Sequence, residues 1–473
     1  MAAVSTRFIW MLFAVSLGAL GMHAVTGLDV STGMLLRVDG LTLIMATVVT
    51  FVSGIVHSFA RRYMDGSQHI GRFYGRLLAL TLVVLLLTAA DHLALFGACW
   101  VLMGWLLADL IGLIRGWPQA QAAARRARWS FLGGSALLAA ALGLIAGYTE
   151  TATISEALAQ TATLPTSVLA GASVLLVGAA MIQSALIPFH GWLLSSMTAP
   201  TPVSAFMHAG LVNAGGLLLA RFAGVVAALP AVMLGIVAVG ALSALLAQAW
   251  MLVQSDVKRH LGCSTVAQMG FMVLQCGLGF FAAAIAHLIL HGFYKAYLFL
   301  ASGSVVTERS PQAKSPAASG VGLWVGTGIA AVAGGALFAW LTGKTLVAMS
   351  SGTVLTLVVV LSVLHAAKTA LRSTGLAPST RAVALPLVVA PALALYAGVY
   401  NGIAVLTADL PMAVAPAEFS MLHAVVGGLF VGAYVAMECG WHRDRPRLYT
   451  ALLNMSQPAP STVTNHRTQY HAH

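Results

Sequence analysis

Charged side chains are what this sequence most lacks. Lys, Arg, Asp and Glu make up 8% of its 473 residues while hydrophobic residues make up 59%, against roughly 25% charged in a soluble protein. So small a polar complement cannot cover a water-facing surface, which leaves a membrane as the chain's surroundings. Acidic residues are scarcer still, 13 against 24 basic. In a membrane protein that imbalance is no nucleic-acid signature, because cations orient helices and their location matters more than their sum. Cysteine is confined to Cys99, Cys263, Cys276 and Cys439, with no CxxC pair. That excludes a disulfide frame or iron–sulfur site and leaves small packing residues. A glycine-rich phosphate loop, an HExxH and a nucleophile motif are all missing, so no catalytic residue, metal site or cofactor of its own is expected in this chain.

What remains is long apolar runs. Stretches of spanning length fall at about 8–25, 40–60, 77–91, 94–115, 130–147, 167–198, 203–227, 229–253, 261–281, 284–304, 321–342, 347–371, 382–404 and 419–439. These fourteen predict an all-α polytopic membrane protein. The run after Arg7 is long enough to span and is read as a first transmembrane helix, not a cleaved leader. The loops test the count. Arg61, Arg62, Arg72 and Arg76 follow the second run, Arg125, Arg126 and Arg128 the fourth, and Lys258 and Arg259 the eighth. Arg309 and Lys314, Arg372 and Arg381, then Arg443, Arg445 and Arg447 continue the alternation. The intervening loops carry Asp29, Asp91, Glu150, Glu156, Asp409 and Glu418. One face is basic, which predicts cytoplasmic basic loops and two cytoplasmic termini. Residues 1–453 form one transmembrane domain, and 454–473 a polar, Pro- and Ser-containing disordered tail.

Against this background the buried polar groups stand out. In "HLILHGFYKAYLFLASGS", residues 287–304, His287, His291 and Lys295 recur every four residues and so share one helical stripe. A charge at the bilayer centre costs about 2.5–3.5 kcal/mol on insertion scales, so such groups face a cavity or a partner. One reading is a proton relay through these groups and intervening water. A second is interhelical hydrogen bonding alone. A third, a His-x-x-x-His metal pair, has no carboxylate or third ligand nearby.

Residues 181–216, "MIQSALIPFHGWLLSSMTAPTPVSAFMHAGLVNAGG", hold a second group. Pro188 interrupts its helix, and freed carbonyls at membrane depth are tolerated only inside protein or along a wet cavity. Gln183 lies just before the break, His190 just after it, and Ser204 and His208 share a face of the next helix. In "QSDVKRHLGCSTVAQMG", residues 254–270, Asp256 and Lys258 sit at a helix start. Lys258 reads either as a loop anchor or as the beginning of a polar path through Ser264, Thr265 and Gln268. His365 and Lys368 share a face of the twelfth helix and are candidate partners of the row.

Three of these stretches, "APTPVSAFMHAGLVNAGGLLLARF", "QSDVKRHLGCSTVAQMGFM" and "HLILHGFYKAYLFLASGSV", resemble the antiporter-like subunits of respiratory complex I and of multisubunit sodium/proton antiporters. The resemblance covers about residues 35–310. It implies two inverted five-helix repeats, here about 77–227 and 229–371, each with a discontinuous helix, and proton transfer along a central buried row. His208, Lys258, His287, His291 and Lys295 match ionisable positions of the family's motifs, with Asp256 beside them. "PFHGWLL" followed by "HAGLVNAGG" is similar to the membrane subunits of DAB-type inorganic carbon accumulation systems. That resemblance implies a heterodimer in the bacterial cytoplasmic membrane with a large cytoplasmic partner similar to a zinc β-carbonic anhydrase. Proton entry would then be coupled to the partner's conversion of CO2 to bicarbonate.

Two departures bear on this. Where the family has a glutamate, the chain has Val101 between Trp100 and Leu102, and where it has a lysine the chain has Gln183. Both members of a charge pair are thus neutral, which avoids a stranded buried charge; Asp109 is a candidate substitute. Lys344 is the one ionisable residue near where the second broken helix is expected. A non-conducting membrane anchor, and a cation/proton antiporter or respiratory subunit, stay open as alternatives.

Overall fold

A computed structural model describes residues 1–27, 29–304, 321–344, 350–372, 378–441 and 445–463. Arg309, Lys314, Arg443 and residues 464–473 lie outside the described residues. The first part of the expected disordered tail, 454–463, is instead ordered: it ends the helix Pro446–Met455 and forms a 3-10 turn, Pro460–Thr462. It is held to the bundle by Ser456 Oγ accepting from Gln254 Nε2 (2.7 Å) and Ala459 N donating to Ser195 Oγ (3.3 Å). In lipid every backbone polar group must be satisfied within the protein, so membrane-spanning segments fold as helices. Over its described residues each of the fourteen apolar runs coincides with a helix or with a series of broken helices. Twelve helices among the described residues are long and apolar enough to cross a membrane. The remaining two are Val257–Gly277, whose first turns carry Lys258, Arg259 and His260, and the segment Gly326–Leu341, whose apolar part is shorter.

The chain begins with α1 (Ala2–Thr26), a short antiparallel pair of strands, Val30–Thr32 and Leu36–Val38, that the apolar pattern does not announce, and α2 (Gly40–Tyr63). Asp39 caps α2, its carboxylate accepting from Thr42 N and Thr42 Oγ1. Next come α3 (Ile70–Ala89), α4 (Leu93–Ile111) and α5 (Pro118–Thr149). At 32 residues α5 spans about 48 Å, longer than a bilayer's hydrocarbon core. It starts twelve residues before its predicted apolar run because the basic segment 118–129 is helical too.

A short α6 (Ile154–Ala159) leads to the irregular centre. There α7 (Thr166–Gln183) stops, the chain runs without helix to α8 (Gly191–Ser195), and α9 (Thr201–Ala209) ends at a 3-10 turn before α10 (Ala214–Arg221) and α11 (Ala223–Val226). The expected break at Pro188 is real but begins earlier, at Ser184. A second break, at Leu211–Asn213, carries no proline and is not foreseen from the sequence. The two interruptions lace together: Gln183 Nε2 donates to Leu211 O (3.1 Å) and Ser184 Oγ to Val212 O (2.8 Å). These bonds take up carbonyls that the α9 break releases, which is what makes irregular backbone tolerable at this depth.

Beyond them lie α12 (Pro230–Met251), α13 (Val257–Gly277), α14 (Phe281–Leu300), α15 (Val321–Leu341), α16 (Ser351–Arg372), α17 (Pro378–Leu406), α18 (Met421–Glu438) and α19 (Pro446–Met455). The span Thr201–Arg221 is the most enclosed, while α1 and α18 are outermost. α14 packs on α9, α10, α13, α2 and α17, so its polar stripe lies in the middle of the bundle. The interval between α15 and α16, where a second broken helix is expected, includes residues 345–349, outside the described residues.

Candidate functional site: a buried row of ionisable side chains

His287, His291 and Lys295 all turn inward. Lys295 is fully buried and the two histidines nearly so, whereas Phe293 and Tyr297, across α14 from Lys295, are exposed. The four-residue spacing stacks the rings of His287 and His291 nearly parallel, centroids 5.8 Å apart. Phe271 on α13 meets His287 edge-on at 5.0 Å. Neither ring nitrogen of His291, nor Nε2 of His287, has a protein hydrogen-bond partner among the described residues. His291 nonetheless sits within electrostatic reach of Lys295, His287 and His208.

α9 and α13 complete the row. Lys295 Nζ donates to Leu261 O at 3.2 Å, and Thr265 Oγ1 donates to the same carbonyl at 2.9 Å. Thr265 Oγ1 also lies 3.0 Å from His208 Nδ1. With the single hydroxyl proton directed at Leu261 O, that contact runs from His208 Nδ1–H to Thr265 Oγ1. A neutral His208 therefore presents Nε2 as its acceptor, and Nε2 has no protein partner. Phe299 stacks on the His208 ring at 4.3 Å and fixes its plane. His208, Thr265, the Leu261 carbonyl and Lys295 thus form one connected chain across three helices. The sequence marked His208, Thr265 and Lys295; the Leu261 carbonyl, being main chain, had no signal to offer.

Close approach is built in at the same level. A Cβ at residue 292, between His291 and Lys295, would come within 2.6 Å of Ala209 O, so glycine there lets α14 seat against the end of α9.

The other candidates scatter around this row. Lys258 is half-buried at the start of α13 and donates to Ala199 O (3.2 Å), with His208 in electrostatic reach. Asp256 is exposed and caps α13, accepting from Arg259 N at 2.8 Å, which makes it a helix-end residue outside the buried row. Gln183 is buried but bound to Leu211 O, bracing the two breaks. His190 lies past the break, its ring 4.7 Å from that of Trp250.

Asp109, the candidate substitute at the first break, lies away from the row. It ends α4 in ion pairs with Arg76 (2.8 Å) and Arg128 (3.6 Å), where two guanidinium groups claim its carboxylate. Val101 itself is 42% exposed while Trp100 is buried, so that position faces out of the bundle and Gln183 faces in. Lys368 is also placed away from the row: it forms a buried ion pair with Glu438 (2.8 Å) that joins α16 to α18. Glu438 was not singled out by sequence, being 70 residues away. His365, one turn before Lys368, is half-buried. Lys344 lies just past α15, its Nζ 4.1 Å from the ring centre of Tyr400 and 4.9 Å from that of Phe280.

Residues 90–377 match the family model described as NADH:quinone oxidoreductase/Mrp antiporter, TM. The chain belongs to this family. Residues 24–74 match a second model, the N-terminus of complex I chain 5. Among curated relatives of this antiporter-family chain, the "Probable inorganic carbon transporter subunit DabB1" of Halothiobacillus neapolitanus is 41% identical over 285 residues, 58% of this chain and 50% of that protein. NADH-quinone oxidoreductase subunit L of Escherichia coli is 40% identical over 286 residues, 59% and 46% of the two chains. The chain spans about half the length of these curated relatives. The Mrp complex from Dietzia sp. DQ12-45-1b superposes with a TM-score of 0.59 at 23% identity, covering 96% of this chain and 52% of that one. The archaeal membrane-bound sulfane sulfur reductase does so with a TM-score of 0.61 at 16% identity, covering 96% and 92%. These two likenesses bear on the fold, an antiporter-like multi-pass bundle.

Proposed function

We propose that this chain is the proton-conducting membrane subunit of an inorganic carbon transporter of the bacterial cytoplasmic membrane. In this reading a large cytoplasmic zinc-containing partner, similar to a β-carbonic anhydrase, uses the proton flow to accumulate bicarbonate from CO2. The observation that carries it is the connected row His208–Thr265–Leu261 O–Lys295, continued by His291 and His287 inside the bundle. Histidine changes charge near neutrality and an ammonium has three protons to offer, so the row holds both acceptors and donors. Unpartnered ring nitrogens in a polar interior are groups that bridging water satisfies, giving a proton a path between side chains. Lys258, half-buried at the basic end, is the group through which the row would meet the cytoplasm. The carbon assignment draws on the DabB-named relatives.

The 40% identity to a respiratory subunit favours a second reading, a complex I-type role. Partner identity separates the two: co-purification with a large soluble zinc protein supports carbon uptake, and with quinone-reactive subunits respiration. Conduction is tested in vesicles holding the assembled complex. Lys295→Ala and Lys295→Arg are both expected to lower proton uptake by at least about 100-fold, because arginine keeps the charge but does not release its proton. Unchanged uptake in Lys295→Arg and in His291→Ala would leave a passive anchor.

A further inference from the structure

A cavity of about 470 Å³ opens where the basic end of α5 meets the segment after the first break and the C-terminal stretch beyond α19. Its walls include Arg125, Arg126, Trp129, Phe189, Gly191 and Ser461. That volume is in the range of sites that hold small ligands. Arg125 and Trp129, four residues apart, share a face of α5. Arg126 lies against the backbone at Gly191, where a Cβ would come within 2.5 Å of Nη2. Arg76 and Arg128, on the same side of the bundle, are paired with Asp109. Neither Arg125 nor Arg126 has a carboxylate partner among the described residues. Two adjacent cations at one cavity therefore lack a counter-charge. Beside them Trp129 is 71% exposed and Phe189 39%, an aromatic rim at the level where α5 enters its apolar run.

We propose that this cavity binds the phosphate headgroup of an anionic membrane phospholipid, with Arg125 and Arg126 on the phosphate and Trp129 and Phe189 against the proximal acyl chain. Basic pockets between helices on one membrane face take such headgroups, and interfacial tryptophan takes the boundary region. The aromatic rim favours an amphiphile over a free oxyanion, which would gain nothing from it. The ligand would also brace the first break. Trp192, in the cavity wall, donates from Nε1 to Ile182 O at 2.8 Å across the interruption and packs on Phe131. A lipid seated there would hold the post-break segment against α5.

The test is native mass spectrometry of the detergent-purified full chain with phosphatidylglycerol or phosphatidylcholine added. Phosphatidylglycerol is expected to be retained preferentially, with retention falling at least about tenfold in Arg125→Gln/Arg126→Gln. The same charge change at Arg61→Gln/Arg62→Gln is expected to leave it intact. Ser461→Trp, which obstructs the cavity and keeps both arginines, is expected to reduce retention as well and guards against misfolding of the double variant. Equal retention of the two lipids, or equal loss in both double variants, would overturn the proposal. Displacement of the lipid by millimolar inorganic phosphate would make it a free-oxyanion site. Capture of an acidic protein by the same arginines with no lipid bound would give the cavity to a partner instead.

Discussion

Thr265 carries the decisive hydrogen-bond geometry of the row. Its hydroxyl gives its proton to Leu261 O and accepts from His208 Nδ1, which leaves Nε2 of that ring as the acceptor. Thr265→Val keeps the side-chain shape and removes both contacts. It is expected to lower vesicle proton uptake about tenfold and to cost about 1–3 kcal/mol of stability, since the Nδ1–H is left buried and unsatisfied. Dye-quench uptake and thermal unfolding of the purified chain read the two effects separately. At this scale much of the site was legible. Three titratable residues at four-residue spacing announce an inward stripe because lipid makes any other orientation costly. What could not be read was pairing at a distance. Lys368, sharing a helix face with His365, is a candidate partner of the row by sequence, but Glu438 meets it through the packing of α16 on α18.

Among the helices, hydropathy located the spans but missed one of the two central breaks. Pro188 signals one interruption by its chemistry, yet the helix ends five residues sooner, at Gln183, where Gln183 and Ser184 reach sideways to the 3-10 turn after α9. The break in Thr201–Arg221 has no residue that forbids a helix; Asn213 Nδ2 takes Ala209 O (2.7 Å) from within it, and Gln183 and Ser184 take Leu211 O and Val212 O from another segment, contacts that its own sequence does not declare. Val101 shows a related limit. A motif match gives a position along a helix, while the buried face of α4, through Trp100, Met103, Gly104 and Leu107, decides where that position points. Contact between α14 and α9 depends on Gly292. Gly292→Ala drives a methyl group into Ala209 O, and the resulting overpacking is expected to destabilise the chain by about 1–3 kcal/mol. A lowered unfolding midpoint, together with reduced uptake from the displaced stripe, would be the signature.

For the molecule as a whole, ion pairs fasten both ends of the bundle. Asp109 with Arg76 and Arg128 ties α3, α4 and α5 at the basic end. At the other end Asp39, capping α2, pairs with Arg221 at the end of α10. Burial alone would raise the Asp39 carboxyl, but the Arg221 guanidinium and the Thr42 hydrogen bonds outweigh it and hold the carboxyl below its usual value. The sign follows. A lowered folded-state value contributes stability that is present above the unfolded carboxylate value near 4 and lost as pH falls through the folded one. Thermal unfolding from neutrality down to about pH 3 is expected to show this acid loss, and Asp39→Asn to flatten it while lowering the midpoint at neutral pH.

The Leu261 carbonyl, shared by Lys295 and Thr265, makes the crossing point of three helices a peptide group. Side-chain scanning steps over such a junction, since every substitution at 261 leaves the oxygen in place. Two substituents on different helices therefore answer to a single dipole, and its strength can be tuned only by altering the amide itself, as an ester linkage between 261 and 262 would, or by shifting the opening turns of α13 where Lys258 is anchored.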